Sequence, residues 1–271
     1  LVFLPDAPNG TDFVRIGTQG GSFHLENQTI VFGSGSYLRG VAATGTSVNK
    51  FSVYDYAGAK SATIRFRVRF GNDGTEPGTT SSGTWYFFLG DGVTYTNSNS
   101  FSGSQVFTGV RFVFGVSGAI TTSNRAGAAW AEISGTPFSQ ATDYIVEIYA
   151  NNTTATINYT YNDAQSVLAN TYDLWVNGIR VGNNLVKAQL GDDLNLDSFM
   201  FYGESSTGNA ANIFLDDIYY QNSIAENPLP VELTSFTASS VNGTVNLNWA
   251  TASEVSNYGF EVERSADKSV W

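Results

Sequence analysis

The stretch SATIRFRVRF, residues 61–70, alternates apolar and polar positions almost without a break. Ile64, Phe66, Val68 and Phe70 fall on one side of an extended chain, and Arg65, Arg67 and Arg69 on the other. A helix cannot use that period of two. Comparable runs recur at 50–56, 85–89, 106–116, 128–133, 144–150, 155–161, 173–181, 198–202 and 212–220, with clusters of Gly, Asn, Asp and Ser between them. Inside one of them Asn177-Gly178 separates DLWV from IRVG. A type I′ turn needs positive φ at both central residues, so this pair predicts a tight hairpin. Evenly spaced strands with turn signals between them, and no helical run, predict an all-β chain built as an antiparallel two-sheet jelly-roll sandwich.

Composition agrees and narrows the function. Aromatic residues make up 14% of the chain, and the runs favour Val, Ile, Phe, Tyr and Thr, which suit a pleated, half-buried surface. The net charge of −11 opposes sequence-independent binding to nucleic acid or anionic lipid, both of which need a basic footprint. There is no cysteine, which removes disulfides, thiolate nucleophiles and Cys-ligated zinc. No apolar run reaches the length of a membrane span. The chain opens LVFLPDAPNG with no basic n-region, so any signal peptide is expected to have been removed or left out.

Organisation changes at NPLPVELTSF, residues 227–236, which holds two of the six prolines. Pro228 and Pro230 fix φ, remove ladder donors and push their predecessors toward extended geometry. The expected domains are therefore a sandwich over 1–226, a proline-containing linker over 227–231 and a second β unit over 232–271. That unit offers three strand-like runs, VELTSFTASS, TVNLNWAT and YGFEVERS, with Leu247, Trp249, Phe260 and Val262 as inward candidates. Three strands cannot close an immunoglobulin-like core, which takes about seven, so this unit is expected to be an unfinished one.

The words of this tail carry a resemblance. PLPVELTSFTASSVNGTVNLNWATASEVSNYGFEVERS closely resembles a segment found in many exported proteins of the Bacteroidetes, where it opens a fibronectin-III-like domain commonly followed by a type IX secretion sorting domain. The resemblance implies export to the cell surface or medium. SATIRFRVRF, DYIVEIYANNTTATINYTYN and NIFLDDIYYQN give residues 1–226 a looser likeness to concanavalin-like and laminin-G-like jelly rolls.

Candidate chemistry is sparse. A retaining glycosidase needs two carboxylates about 5 Å apart, but Glu132 and Glu147 stand alone in AWAEIS and YIVEIYA, so no catalytic residue is assigned and the chain is expected not to be an enzyme. His24 is the one histidine, and no Gly-x-Ser-x-Gly elbow accompanies it. Asp216, in IFLDDIYY, is a candidate calcium ligand; in similar-looking carbohydrate-binding sandwiches the first Asp of such a pair often holds a structural calcium. Alternation puts Phe214, Asp216, Ile218 and Tyr220 on one face, which points Asp216 partly inward, and a hydrogen bond to Ser, Thr or a backbone amide would serve it equally. GDDLNLDS, residues 191–198, is a weaker calcium candidate.

Binding residues remain open between two readings. Arg65, Arg67 and Arg69 form a ladder that could grip an anionic polysaccharide or another copy, or that pairs across strands with carboxylates such as Glu147 or Glu132. Trp130 and Trp175 could form a sugar platform or fill the core. The WYFFL run at 85–89 is apolar on both faces, as a central strand would be, and the polar loops at 71–83 and 92–105 read as solvated connections. Two functions follow. The first is a non-catalytic surface protein that assembles with copies of itself as a fibre or layer. The alternative is a carbohydrate-binding, lectin-like module acting on extracellular polysaccharide.

Overall fold

The computed structural model describes residues 12–16, 21–26, 31–32, 35–43, 49–72, 78–96, 101–204, 211–224, 233–241 and 244–251. Strands are numbered in chain order. The front sheet has seven, in the spatial order β1 (Asp12–Ile16), β4 (Lys50–Tyr54), β15 (Ser198–Glu204), β6 (Thr84–Gly90), β7 (Val106–Phe114), β8 (Ile120–Ala126) and β9 (Ala129–Glu132). The back sheet also has seven: β14 (Ile179–Val186), β13 (Thr171–Val176), β10 (Asp143–Asn151), β5 (Ser61–Gly71), β16 (Asn212–Gln221), β3 (Tyr37–Val41) and β2 (Ser22–Glu26). Neighbouring strands within each sheet pair antiparallel. Two small hairpins are separate, β11 (Ile157–Tyr161) with β12 (Asp163–Val167), and β17 (Leu233–Val241) with β18 (Thr244–Thr251). The chain is an all-β, antiparallel two-sheet jelly-roll sandwich.

The alternation in β5 does what its period requires. Ile64, Phe66, Val68 and Phe70 are fully buried between the sheets. Phe66 meets the front sheet at Phe87 and Phe201, with ring centroids 5.3 and 5.0 Å away, and Phe70 meets Phe112 at 4.7 Å. Edge-to-face and offset aromatic pairs of this kind add about 0.5–1.5 kcal/mol each beyond the area they bury. Trp85 fills the end of the same core. Its Nε1 donates to the carbonyl of Ala211 at 3.3 Å, and its ring lies against two glycines, Gly40 on the back sheet and Gly203 beside it on the front sheet.

The Asn177-Gly178 hairpin forms as its sequence demands, with φ of 48° and 77° joining β13 to β14. Alternation fails within β16. A register shift in β16 between Asp216 and Tyr219 sets Asp217 at φ 47°, a β-bulge that turns the later side chains over. Before it, Ile213 and Leu215 face the core while Phe214 packs with Val31, Phe32 and Tyr37 outside it. After it, Ile218 and Tyr220 join the core. Asp216 therefore stands on the outer side of the back sheet and not partly inward as unbroken alternation implied.

Two compact units emerge, residues 1–158 with 166–224, and residues 159–165 with 225–271. The sandwich belongs to the first. In the second, β17 and β18 pair with Phe236 opposite Trp249 and Ala238 opposite Leu247. The expected linker at 227–231 and the third strand-like run at 258–265 lie outside the described residues.

The tight seat of Trp85 makes a sharp expectation. A Cβ at Gly40 would lie 2.7 Å from the indole Cη2 and 2.8 Å from the ring of Phe23, so Gly40→Ala should destabilise by about 1–3 kcal/mol through overpacking. Gly115→Ala, where an added Cβ meets nothing nearer than 3.5 Å, should stay within about 0.5 kcal/mol. Equal denaturant midpoints for the two variants would show that the indole seat does not constrain the sandwich.

Candidate functional site

On the outer side of the front sheet, the residues that alternate with the core come together in rows. Lys50, Tyr202, Tyr86, Arg111, Ser123 and Glu132 stand opposite one another in turn across six adjacent strands. The next row runs Ser52, Met200, Phe88 and Gly109, then Arg125 opposite Trp130. Gly109 has a local reason to lack a side chain. A Cβ there would sit 2.8 Å from the Cβ of Arg125 and 3.3 Å from the Phe88 ring, so glycine lets that arginine and that ring close over β7.

The aromatic members form one half-buried group separate from the core. Tyr86 stacks on Phe88 at 5.4 Å and lies 5.5 Å from Trp130 and 5.9 Å from Tyr202. Phe101, from the loop after β6, adds a wall: its ring is 5.1 Å from Phe88 and 6.2 Å from Tyr202, and it is exposed. The loop at 92–105 is thus partly folded onto the face and not simply a solvated connection. Thr94 from the same loop accepts a hydrogen bond from Lys50 Nζ at 2.8 Å. Lys50 is 1% exposed, and burial lowers its ammonium to about 8, because a low dielectric disfavours the charged form.

Two guanidinium groups cap the aromatic group. Arg111 lies 4.7 Å and Arg125 5.6 Å from the centre of the Trp130 ring, and Arg125 also approaches Phe101 at 5.9 Å. Arg111 donates to Ser123 Oγ at 3.3 Å, yet the Nε atoms of both arginines are buried with no hydrogen-bond partner. Tyr86 donates to Glu204 Oε1 at 2.5 Å. Burial, then that bond and the carboxylate charge, hold the Tyr86 phenol far above its ordinary range, and burial with Glu204 raises Tyr202 as well. Both phenols stay protonated in any physiological medium and serve as donors. The face offers flat apolar rings, phenolic hydroxyls and cationic forks side by side.

Of the residues singled out from sequence, only Trp130 is in this group. Trp175 is buried on the outer side of the back sheet, opposite Glu147 and 5.6 Å from the Arg180 guanidinium. The arginine ladder lies on that sheet too. Arg69 and Arg67 reach Asp143 at 2.5 and 3.5 Å, Arg67 also covers the Phe32 ring at 4.7 Å, and Arg65 stands opposite Glu147 and Tyr219. Asp143 is the carboxylate that Arg67 and Arg69 reach, and Glu147 stands across from Arg65. Asp216 Oδ1 accepts from the Asp217 amide at 2.9 Å, and burial raises its carboxyl. Among the described residues no set of three or more acidic or histidine side chains is spaced to hold a metal, and in the 191–198 segment Asp192 and Asp193 already meet Lys187 and Lys60. His24 bonds Ser22 at 2.7 Å. Glu132 is exposed on the front sheet while Glu147 is buried on the back sheet, so they form no catalytic pair.

Sequence reasoning missed Tyr86, Tyr202, Phe101, Arg111 and Arg125. One signal was present: WYFFL is apolar on both faces, and a strand with one face in the core needs something aromatic or apolar beyond the other.

No protein-family model matches the chain, and no curated protein does. Solved structures similar to it include a cellulose-induced protein, Cip1 (TM-score 0.47, 12% identity, 79% of this chain and 91% of that one). Others are the PL-14 alginate lyase of Aplysia kurodai (0.45, 11%, 79% and 90%) and the legume lectin-like domain from Entamoeba histolytica (0.38, 10%, 74% and 90%). At such scores and identities, function has to be read from the face itself.

A different set of titratable groups closes one end of the front sheet. Asp55 follows β4, Asp197 precedes β15 and Asp91 follows β6, three neighbouring strands in the sheet. Burial, with the Asp55 charge adding to it, raises the Asp91 carboxyl. Burial, with Asp91 and Asp55 adding to it, raises Asp197 from 3.8 to about 6, against the opposing bond from Ser198. Because the folded-state value is the higher one, the stabilisation it represents is complete below about pH 4 and lost as pH rises through about 6. Asp197→Asn keeps an acceptor for Ser198 and gains a donor for Asp91. At pH 7.5 it should be more stable than the wild type by about 1–2 kcal/mol, allowing for partial solvation, and the gain should vanish near pH 4. Melting curves across pH 4–8 in which the two proteins differ by a constant amount would contradict this.

Proposed function

We propose that the chain is a glycan-binding module whose ligand lies across the outer side of the front sheet. The observation that carries this reading is the half-buried cluster of Tyr86, Tyr202, Trp130 and Phe101, which lies outside the core on a seven-stranded sheet. Sugar rings present flat C–H faces that rest on aromatic rings, while phenols and guanidinium groups meet their hydroxyls. Alternation leaves those side chains no place in the core, and a continuous aromatic surface rimmed by polar groups is the usual mark of a recognition site. The same reading takes the module as part of an exported polypeptide, with the β17–β18 hairpin as the opening of a fibronectin-III-like domain, for which the resemblance of the tail is the support.

The direct test is affinity electrophoresis of the full chain through gels containing xylan, laminarin, agarose, alginate or polygalacturonate. At least one polysaccharide should retard the wild type. Trp130→Ala and Tyr202→Ala should each weaken that retardation about tenfold, the size expected for loss of one well-packed aromatic contact. Migration unaffected by any polysaccharide would remove the reading.

Self-assembly is the second reading, favoured by one observation. In the β17–β18 hairpin, Phe236, Val245 and Trp249 share one face and are 58%, 62% and 39% exposed, which a second copy of the hairpin could cover. If so, the protein should show concentration-dependent mass in light scattering between micromolar and millimolar, and Phe236→Ser with Val245→Ser should abolish it. A monomer at all concentrations would exclude that use of the hairpin.

A further inference from the structure

The arginine pair points to the class of glycan. We infer that the front-sheet face takes a polysaccharide carrying oxyanions, uronate carboxylates or sulfate esters, with Arg111 and Arg125 as the groups that read the charge; this rests on the glycan-binding reading above. The observation is the contrast between these two cations and six of the others, while Arg65 on the back sheet stands across from the buried Glu147. Arg39, Lys60, Arg67, Arg69, Arg180 and Lys187 each meet a carboxylate. Among the described residues Arg111 and Arg125 form no ion pair, although the chain carries 24 acidic residues to 13 basic ones.

Geometry sharpens the contrast. Arg111 is opposite Ser123 on β8, and Arg125 lies two residues further along the same strand and on the same face. They are diagonal neighbours, with backbones roughly 7–8 Å apart. Both heads lie over one indole, and both Nε atoms are buried without an acceptor. Two like charges held this close over a partly dehydrated aromatic surface repel one another. A buried donor left unmade costs about 1–3 kcal/mol, more for a charged group. An oxyanion between the forks removes both costs at once, accepts two parallel N–H bonds from a planar guanidinium, and leaves the sugar ring against Trp130 and Tyr86. The nearest carboxylates do not do this: Glu204 is engaged by Tyr86, and Glu132 is exposed across Ser123 from Arg111.

The experiment measures affinity by titration calorimetry for four ligands: oligogalacturonate and oligoalginate for carboxylates, a carrageenan oligosaccharide for sulfates, and a laminarin oligosaccharide as a neutral chain. One of the charged classes should bind at least tenfold more tightly than the neutral one, and the carboxylate and sulfate arms tell which anion it is. That affinity should fall steeply between 50 and 500 mM salt, as screening requires. Arg111→Gln and Arg125→Gln should each lower it about tenfold or more with a melting temperature no lower than that of the wild type. Lys60→Gln, which removes the same charge from an exposed pair with Asp193, should not. Binding of the neutral chain alone, or of a charged chain with full affinity in both arginine variants, overturns the inference while leaving a glycan-binding module. Binding of none of the four overturns both.

Discussion

Phe66 of the back sheet, held against Phe87 and Phe201 of the front sheet, is the contact on which the rest depends. It sets the separation of the two sheets, and through the pleat it decides which residues are left over. Once Phe87 and Leu89 are committed to the core, Tyr86 and Phe88 must face away from it; once Val110 and Phe112 go in, Arg111 must go out. The functional face is therefore the complement of the core. Its composition was fixed by register as soon as the aromatic layer closed, and a one-residue slip of any strand would send its members inward.

The two outer faces then diverge because of what each row carries. On the back sheet Arg67 and Arg69 of the ladder meet Asp143 at the start of β10, and Arg67 covers the Phe32 ring, so those two charges are offset within the fold. On the front sheet the long strand pairings bring two arginines to one tryptophan without an acid between them. The same residue type thus serves internal pairing on one side and presents unmet donors on the other. Sequence spacing left the IRFRVRF ladder open between a binding row and cross-strand pairing, and it did not single out two isolated arginines in separate runs.

The contrast between the two faces shows what was legible and why. Strand type was readable from β5, β6, β10 and β16, the inward set from β5 and β6, and the Asn177-Gly178 turn was unambiguous, since all of these depend on near neighbours along the chain. Weakly apolar strands were not read: β3, YLRGV, and β8, ITTSNRA, lack a clean period of two. The bulge after Asp216 was equally invisible, for a register shift leaves no compositional mark when the residue with positive φ is an aspartate. The site itself depends on β15 lying between β4 and β6. This non-local pairing places Tyr202 beside Tyr86 although more than a hundred residues separate them.

Energetics favour treating the front face as retained for a ligand and not as a packing accident. Sequences that specify a fold satisfy their local rules almost everywhere, and the exceptions gather where function demands them. Arg111 and Arg125 combine three such exceptions: like charges as neighbours, guanidinium nitrogens buried without acceptors, and glycine at position 109 in mid-strand, where a side chain would strengthen the sheet. The unmet donors are correctable by a single substitution. An aspartate at Ser123, for instance, would stand directly across from Arg111 and supply the missing acceptor. An acidic chain that leaves that position to serine keeps a pair of open forks beside its aromatic surface, at a cost in stability that a bound oxyanion would offset.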